Sequence, residues 1–394
     1  MKIAITGDFH LGFNEDALAQ AKNALDACRD ADAIIIAGDI FDSRIPRQET
    51  LNEALQLFSQ AAESMKSDAT IYEMDADGVI TGLPNYPPIL AIAGTHERRS
   101  KGLANPIHLL DSALCAVNVH GRRICVQKGD EQACFQAMAG VPEEFSRQVI
   151  KKMEFKPVKG AFNVFIFHQS LAEAMPFGEA LCSQDLPDGF DLYVDGHIHW
   201  MAELVEGKKR IFIPGSTVVT QMRKNEMRKK QVIIFDTQTG TYESRTFATR
   251  PFLYRDIVFE NPVTSAEVVA QVDATLTEML SPVFAQTPVV KLKLIGKLAN
   301  GLESKDLDLS AMTKRYADRA MLHIDRDFER KDSQKADAEE LQKARSDPRG
   351  VREISVSLFV EALKRRDMEI TPAQAEELLD ALCEEDAARA AQLI

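Results

Sequence analysis

The chain has few of the residues that build disulfide frameworks, thiolate metal sites and membrane spans. Its 394 residues include six cysteines and one tryptophan, and no two cysteines have the CxxC or CxxH spacing of a thiolate site. We therefore expect neither a thiolate zinc site nor a disulfide framework, which favours a reducing compartment. No apolar run approaches the roughly 20 residues needed to cross a bilayer. The first residues enter a strand-like run without the basic and apolar regions of a secretion signal, so we expect a cytoplasmic protein without a membrane partner.

Residues 1–250 have the pattern of an α/β domain. Strand-like apolar runs alternate with amphipathic helical stretches, which are predicted at residues 14–28, with Asn14 as N-cap, and at residues 48–67. Short apolar strands with helices between them predict a sheet core covered by helices. Residues 68–88 contain several Asp, Gly and Pro residues, and we expect an exposed connection or a small hairpin there.

A change of pattern at Arg250-Pro251 predicts a second, small α+β domain over residues 251–330. Its expected elements are strands at 255–260, 289–295 and 320–328 and a helix at 265–280. Residues 331–350 carry dense mixed charge and are expected to form a charged linker or helix. Residues 351–394 are expected to form a helical pair, at 355–365 and at 372–393, the second opened by Thr371 as N-cap. Two isolated helices cannot bury both apolar faces, so the pair either packs on the body or docks onto a partner.

Five short motifs share one form, in which an apolar strand ends and residues that can bind metals follow. In an open α/β sheet, the carboxyl ends of the strands gather along one edge, where ligands bind. We therefore expect the polar residues of these motifs to converge at that edge. They are, in chain order, Asp8 and His10 after strand 2–6, Asp39 after strand 33–37, Thr95, His96 and Glu97 after strand 89–93, His168 after strand 163–167, and His197 and His199 after strand 192–194.

Asp and neutral His in one cluster suit a hydrolytic site that holds two divalent cations. Asp8 and His10 are two residues apart, so in extended backbone they point to the same side and can chelate one ion. His197 and His199 repeat that spacing. One carboxylate such as Asp39 can bridge two cations about 3.5–4 Å apart. Because this donor set lacks thiolate, it is compatible with Mn²⁺, Fe²⁺ or Zn²⁺, and Mn²⁺ is the preferred expectation.

His96 need not be a ligand, because the pKa of an imidazole suits acid catalysis near neutral pH. We expect it to contact the phosphate oxygens of a substrate or to protonate the leaving alkoxide. Arg98 and Arg99 follow in the sequence. They either stabilise charge on the substrate or are solvated arginines.

The remaining residues near the motifs have simpler interpretations. Asp42 is expected to be a turn or helix-cap residue rather than a ligand. Asp195 is a candidate for orienting a histidine without binding the ion itself. The histidines outside the motifs are interpreted as structural or surface residues: His108, His120 and His323. A single Asp-x-His is common and indicates little, but five motifs in order make a purely structural explanation improbable.

The net charge of −13 argues against a nucleic-acid partner, because phosphate binding is driven by Lys and Arg. The distribution of charge weakens that objection, since basic runs lie beside the motifs while acidic residues are abundant after residue 368. The runs are Arg98, Arg99 and Lys101, then Lys208, Lys209 and Arg210, then Arg223, Lys224, Arg228, Lys229 and Lys230. Any one run is interpreted as solvated loop surface, but three runs beside the motifs favour an anionic polymer substrate.

Taken in order, the motifs resemble those of the calcineurin-like metallophosphoesterase family. The matching segments are Asp8-x-His10, Gly38-Asp39, Gly94-Thr95-His96-Glu97, His168 and Gly196-His197-x-His199. Within that family the chain is most similar to the SbcD and Mre-eleven nucleases of DNA double-strand-break repair. The closer matches include Gly38-Asp39-Ile40-Phe41-Asp42, His168-Gln169, the segment 186–199, and Pro214-Gly215-Ser216 followed by Thr220 and Glu226.

The resemblance implies a ligand set for each of two ions. One ion would be held by Asp8, His10, Asp39 and His199, and the other by Asp39, Thr95, His168 and His197. It also implies that His96 is the phosphate-facing catalytic histidine. The family pattern has Asn where this chain has Thr95, and Asp where it has Glu97. We therefore expect the second ion to be bound more weakly.

The resemblance further implies partners and an assembly. Nucleases of this kind act on DNA as homodimers and bind an SMC-like coiled-coil ATPase of the SbcC or Rad-fifty type. Their ATPase contact is a C-terminal helical pair, which residues 351–394 are expected to supply. The domain at 251–330 would be the capping and DNA-binding domain.

Three functional hypotheses follow. The first is a Mn²⁺-dependent DNA exonuclease and endonuclease that processes double-strand-break ends. The second keeps the metal site but has nucleotides or small phosphoesters as substrates, as a phosphodiesterase or phosphatase. A separate second domain and a helical tail disfavour it, because small-phosphoester hydrolysis needs neither. The third is a scaffold with a degraded metal site, and Thr95 is its only support.

Overall fold

The computed structural model describes residues 1–100, 102–175, 180–299, 302–328, 356, 360 and 371–383. The chain divides into two compact units, of which the first comprises Met1–Ile257, Val269–Lys293 and Leu309–Asp325. The second comprises Val258–Val268, Leu294–Asp308 and the chain from Arg326 onward. The domain boundaries given above remain predictions, and the predicted linker at 331–350 lies outside the described residues.

The N-terminal part of the chain builds two sheets and four α-helices. The strands are β1 (Lys2–Thr6), β2 (Ala33–Ile36), β3 (Thr70–Met74), β4 (Ile80–Gly82), β5 (Ile89–Ala91), β6 (Val117–Asn118), β7 (Arg123–Lys128), β8 (Glu131–Met138), β9 (Phe162–Phe167), β10 (Leu192–Asp195), β11 (Ala202–Glu206), β12 (Lys209–Ile213), β13 (Gln231–Asp236) and β14 (Tyr242–Thr246). The helices are α1 (Ala17–Cys28), α2 (Gln48–Ser64), α3 (Pro106–Ser112) and α4 (Glu143–Met153).

The first sheet has the order β14-β13-β1-β2-β5-β6, and the second has the order β11-β12-β10-β9-β8-β7-β3-β4. Parallel pairing joins β1 to β2, β2 to β5, β8 to β9 and β9 to β10. The strands that carry the motifs therefore run parallel within their own sheets. This confirms the predicted α/β core, although the core contains two sheets rather than one.

Burial explains why the central strands form. Every residue of β2 is buried, as are residues 3–6 of β1, so these strands are nearly continuous apolar runs with both faces covered. Ile3, Ile5, Ile34 and Ile35 are fully buried in one apolar core. The runs end at glycines and aspartates, which places the motifs at the strand ends.

Both predicted helices of this part are present, with shorter bounds. The first begins at Ala17 rather than at residue 15, because Asn14 closes a turn ahead of it. The Oδ1 atom of Asn14 accepts hydrogen bonds from the backbone N–H groups of Asp16 and Ala17, both at 3.1 Å. The second helix ends at Ser64 rather than at residue 67. Residues 68–88 contain the predicted hairpin, since β3 and β4 pair antiparallel, but β3 also pairs with β7.

The elements predicted at residues 251–330 are also present. They are β15 (Phe252–Val263), α5 (Ser265–Met279), β16 (Val289–Leu298), α6 (Ser310–Tyr316) and β17 (Met321–Phe328), and the three strands form a sheet in the order β15-β16-β17. The short helix α6 was not predicted. A further helix, α7 (Pro372–Cys383), begins after Thr371, whose Oγ1 accepts from the N–H of Gln374 at 3.3 Å. Most of the predicted helix at 355–365, and residues 384–393, lie outside the described residues.

One expectation about cysteine is wrong. Cys125 and Cys134 form a disulfide, with their Cα atoms 4.1 Å apart. They are directly opposite each other in the antiparallel pair of β7 and β8. Cysteine spacing could not indicate this contact, because it depends on the register of the hairpin.

Among the described residues, no helix is both long enough and apolar enough to span a membrane.

Candidate metal centre

The five motifs meet where β1, β2, β5, β9 and β10 end. Backbone hydrogen bonds join the first two loops, from Asp8 N to the Gly38 carbonyl at 2.9 Å and from His10 N to the Asp39 carbonyl at 3.0 Å. A side chain joins the loops of the two sheets, since Nδ1 of His168 lies 2.7 Å from the Ala37 carbonyl oxygen. The convergence expected from the strand ends is therefore observed.

The backbone of this region is strained at the residues that would bind ions. Asp8, His10, Asp39 and His197 have φ angles of 51°, 49°, 48° and 71°. Non-glycine residues rarely adopt this left-handed conformation, and it occurs most often where function requires a particular geometry. We infer that the loops are shaped to aim these four side chains rather than to minimise backbone energy.

Two glycines make the close approach of the loops possible. A Cβ atom at Gly94 would lie 2.1 Å from Oδ1 of Asp39. One at Gly196 would lie 1.9 Å from the Ala37 carbonyl oxygen. Both distances are far below van der Waals contact, so each glycine is required by the packing of the motif loops.

The first candidate ligand group consists of Asp8, His10 and His199, whose ligand atoms lie within 4.8 Å of one another. The Nε2 atoms of His10 and His199 are 3.3 Å apart, and Nε2 of His199 lies 3.9 Å from Oδ1 of Asp8. All three residues are buried. They match three of the four residues that the sequence assigned to one ion.

The second group consists of Asp39, His168 and His197, whose ligand atoms also lie within 4.8 Å of one another. Nε2 of His168 lies 3.2 Å from Oδ2 of Asp39. Asp39 also belongs to a third group with His10 and His96. A carboxylate shared between groups is what a bridging ligand requires.

The donor set fits divalent cations because it contains an unsatisfied carboxylate oxygen and two imidazoles that favour the neutral form. Oδ2 of Asp8 is buried and makes no hydrogen bond, which is costly unless something else satisfies it. Burial, followed by the charges of other groups, lowers the pKa of His197 to about 4 and that of His199 to about 2. Both rings therefore keep a lone pair for a metal ion at neutral pH.

The pKa values of the two carboxylates shift in opposite directions, although burial raises both. Burial raises the pKa of Asp8 to about 6, and the charge of Asp39 adds to that rise. For Asp39, burial also acts upwards, but the charge and hydrogen bond of His168, together with the charges of His10 and His96, outweigh it and hold the pKa below its usual value. In return, Asp39 raises the pKa of His168 against the effect of burial. Without a cation, the buried pair is stabilised by a proton on His168.

Thr95 lies beside the second group. Its hydroxyl donates to Oδ2 of Asp39 at 3.2 Å. The hydroxyl thus contacts the carboxylate that would bridge the ions. Its role as a ligand remains a prediction.

His96 is held by Asp42, for which the sequence predicted only a turn or a cap. Nδ1 of His96 lies 3.2 Å from the Asp42 carbonyl oxygen and 3.3 Å from its Oδ1. The same Oδ1 is 3.0 Å from Nδ1 of His10. Asp42 therefore orients two site histidines, a role that its spacing from Asp39 did not reveal. The side chain of His96 is 43% exposed, which leaves it accessible to a substrate.

Glu97 is a motif residue to which the sequence analysis assigned no role. It is fully buried, and its carboxylate accepts from Phe41 N and from Gly94 N, both at 2.8 Å. It thereby joins the loop that follows Asp39 to the loop that carries His96. The only sequence signal was a charged residue directly after the motif histidine.

The other predicted residues lie near the site without entering the ligand groups. Arg98 and Arg99 are half-buried, and Nη1 of Arg99 donates to the Ala104 carbonyl at 3.3 Å. Oδ1 of Asp195 accepts from Gln169 N at 3.2 Å, so this carboxylate contacts the residue after His168 rather than a histidine ring.

Two histidines outside the motifs have structural roles, as expected. His108 pairs with Asn105 to cap α3, with both hydrogen bonds at 3.1 Å. Nδ1 of His120 accepts from Ala139 N at 3.1 Å. Neither residue belongs to a candidate ligand group in the part of the chain that the structure describes.

An α/β core with buried carboxylates and imidazoles at its strand ends is typical of one class of protein, the metal-dependent hydrolases. The comparison with known families is specific. The profile of the calcineurin-like phosphoesterases matches residues 1–201, which is more than half of the 394-residue chain. The chain belongs to the calcineurin-like phosphoesterase family, whose members use divalent metals.

Similar curated proteins include double-strand-break repair proteins. The human double-strand break repair protein MRE11 is 25% identical over 310 residues, covering 66% of this chain and 43% of that protein. The DNA double-strand break repair protein Mre11 of Methanopyrus kandleri is 27% identical over 221 residues, covering 50% and 44%. The chain thus spans less than half the length of these relatives.

One solved structure that is similar to this chain is described as a novel archaeal phosphodiesterase. It is 14% identical, with a TM-score of 0.31, and the match covers 63% of this chain and all of that one.

Proposed function

We propose that this protein is a Mn²⁺-dependent DNA exonuclease and endonuclease that processes double-strand-break ends. The observation that carries the proposal is the convergence of two Asp/His groups, Asp8/His10/His199 and Asp39/His168/His197, which a third group containing both His10 and Asp39 connects. The similarity to Mre11 proteins supports DNA as the substrate.

Each ion would be held by one of the ligand sets. Asp8, His10, Asp39 and His199 would hold the first ion. Asp39, Thr95, His168 and His197 would hold the second. Imidazole and carboxylate donors without thiolate suit Mn²⁺, and they also accept Fe²⁺ or Zn²⁺.

When bound, the two cations would lower the pKa of water and neutralise charge on the scissile phosphate. The residues of the chain supply the rest. Asp42 holds Nδ1 of His96, which leaves Nε2 directed away from that contact and available to the substrate. We assign to His96 the contact with the phosphate and the protonation of the leaving alkoxide.

The test is to incubate the purified protein with Mn²⁺ and DNA carrying duplex or single-stranded ends. We expect cleavage by the wild type and a loss of at least about 100-fold in His96→Ala, the scale of general acid catalysis. His108→Ala is a matched control on the cap of α3 and should cleave normally. The hypothesis is wrong if wild type and His96→Ala are equally inert. Hydrolysis of bis-p-nitrophenyl phosphate without DNA binding would instead favour a small-phosphoester hydrolase.

DNA binding is assigned in part to Arg98 and Arg99, which follow the loop of His96 in sequence. Each contact between an arginine and a phosphate releases counterions and steepens the salt dependence of binding. Arg98→Ala and Arg99→Ala should each reduce the slope of log affinity against log salt by about 1. Unchanged slopes in both variants would identify them as solvated surface residues.

We also propose that the protein acts as a homodimer with an SMC-like coiled-coil ATPase of the SbcC or Rad-fifty type. Residues 351–394 would supply the contact with the ATPase. Deleting this segment should abolish co-purification with the ATPase and leave Mn²⁺-dependent nuclease activity intact. A truncated protein that still binds the ATPase normally would show that the contact lies elsewhere.

A further inference from the structure

His199 also forms hydrogen bonds with residues outside the candidate ligand groups. Its Nε2 faces Asp8 and His10, so a proton at Nδ1 is required if Nε2 is to bind an ion. Nδ1 forms a hydrogen bond with Oγ1 of Thr220. In that tautomer the hydroxyl of Thr220 is the acceptor that holds the ring in place.

Thr220 is itself fixed by a buried carboxylate. Glu226 is 2% exposed. Its Oε2 accepts from Thr220 N and its Oε1 from Gln221 N, both at 3.0 Å. The backbone of the loop that carries Thr220 is therefore held by the carboxylate of Glu226.

Lys230 links Glu226 to His199. It is 7% exposed, and its Nζ lies 3.5 Å from Oε2 of Glu226. The same Nζ donates to Oγ of Ser216 at 2.8 Å and to the carbonyl oxygen of His199 at 3.2 Å. Both the ring and the backbone of His199 are therefore held by one connected set of residues.

A buried ion pair is costly to desolvate, so it is weak support for stability by itself. Here every charged atom of the pair contacts a group of the loop or of His199. We propose that Thr220, Glu226 and Lys230 are positioning residues, which fix the orientation of the His199 ring and thereby tune the affinity of the first ion alone. This inference rests on the proposed two-ion function and deepens it.

The sharpest test changes only the hydroxyl. In Thr220→Val a methyl group replaces Oγ1, so Nδ1 of His199 loses its acceptor at nearly constant volume. Removing such a supporting group weakens metal affinity by about 10- to 100-fold. We expect one of two Mn²⁺ equivalents to weaken by that factor while the other keeps its affinity. Thr220→Ser, which retains the hydroxyl, should bind both equivalents as the wild type does.

The measurement is a titration of the metal-free, full-length protein with Mn²⁺, in which the electron paramagnetic resonance signal reports free Mn²⁺. Thr239→Val, an exposed threonine in the turn between β13 and β14, controls for the type of substitution. Thr220→Ala, which removes volume instead of replacing it, serves if the valine variant does not fold. As a second readout, the Thr220→Val nuclease should need more Mn²⁺ but recover its kcat at saturation.

The outcomes separate this inference from the function on which it rests. Two wild-type affinities in both Thr220→Val and Thr220→Ala would overturn the positioning role and leave the nuclease proposal standing. Equal weakening of both ions would also overturn it, because the network would then not be specific to His199. A wild-type protein that binds no Mn²⁺ would overturn the proposed function together with this inference.

Discussion

Replacing Glu97 tests whether one buried carboxylate holds two motif loops together. Its two oxygens accept separately from Phe41 N and Gly94 N, each at 2.8 Å. Glutamine has a single side-chain oxygen, so Glu97→Gln keeps one of these acceptors and loses the other. Alanine loses both and leaves two buried backbone N–H groups without a partner.

The expected change in the free energy of unfolding follows from the number of backbone N–H groups that lose their acceptor. A buried donor left unsatisfied costs about 1–3 kcal/mol. Glu97→Gln should therefore lower the free energy of unfolding by about 1–3 kcal/mol, and Glu97→Ala by roughly 2–6 kcal/mol. Burial, and then the charge of Asp39, raises the pKa of Glu97 to about 8, so the glutamine variant loses little charge at pH 7.

The raised pKa also predicts a dependence on pH. Between the ordinary value of 4.5 and about 8, the folded state binds more protons at Glu97 than the unfolded state does. The stability that this group contributes is therefore complete below pH 4.5 and is lost as the pH rises through 8. The advantage of the wild type over Glu97→Gln should shrink across that range.

The assay is urea unfolding in the presence of a chelator, so that bound metal does not contribute to stability. Glu63→Gln, at an exposed position of α2, is the matched control and should change stability by less than about 0.5 kcal/mol. If both Glu97 variants unfold like the wild type at pH 7, the side chain of Glu97 does not hold the two loops together.

Three further predictions concern the site and the core. Gly94→Ala should abolish Mn²⁺ binding in a titration, because its methyl group would lie 2.1 Å from the bridging carboxylate, whereas Gly82→Ala, with open space around it, should bind normally. The pKa of His168 is raised, so the metal-free ring is protonated at neutral pH and must lose its proton to bind an ion. Mn²⁺ affinity should therefore rise with pH, and calorimetry in buffers of different ionisation enthalpy should detect proton release; heats independent of the buffer would contradict this. Because Cys125 and Cys134 are buried in the folded protein, alkylation is carried out on the unfolded protein without reduction. It should leave both cysteines unmodified, and labelling of both would exclude the disulfide.

The sequence predicted the central strands well because their signals are local. Residues 33–37 form an unbroken apolar run that ends at a glycine, and such a run is typical of a strand buried on both faces. Helix ends were less predictable, since Asn14 uses its side chain to close a turn before α1 begins. The division into two sheets, and the disulfide between β7 and β8, depend on pairings between strands that no local pattern encodes.

The candidate ligands were predictable for a related reason. Each lies directly after a strand, and strand ends converge in this class of fold. The contacts of Asp42 and Glu97 were not predicted, because they are hydrogen bonds to other loops. Asp42 contacts His10, which is 32 residues away, and Glu97 contacts Phe41, which is 56 residues away. Such contacts become visible only when the loops are placed in three dimensions.

We propose that two divalent cations share Asp39 at the strand ends. Anomalous diffraction from crystals loaded with manganese would locate them. We expect two manganese peaks, one among Asp8, His10, Asp39 and His199 and the other among Asp39, Thr95, His168 and His197. Peaks outside these side chains, or no peak at Asp39, would contradict this proposal.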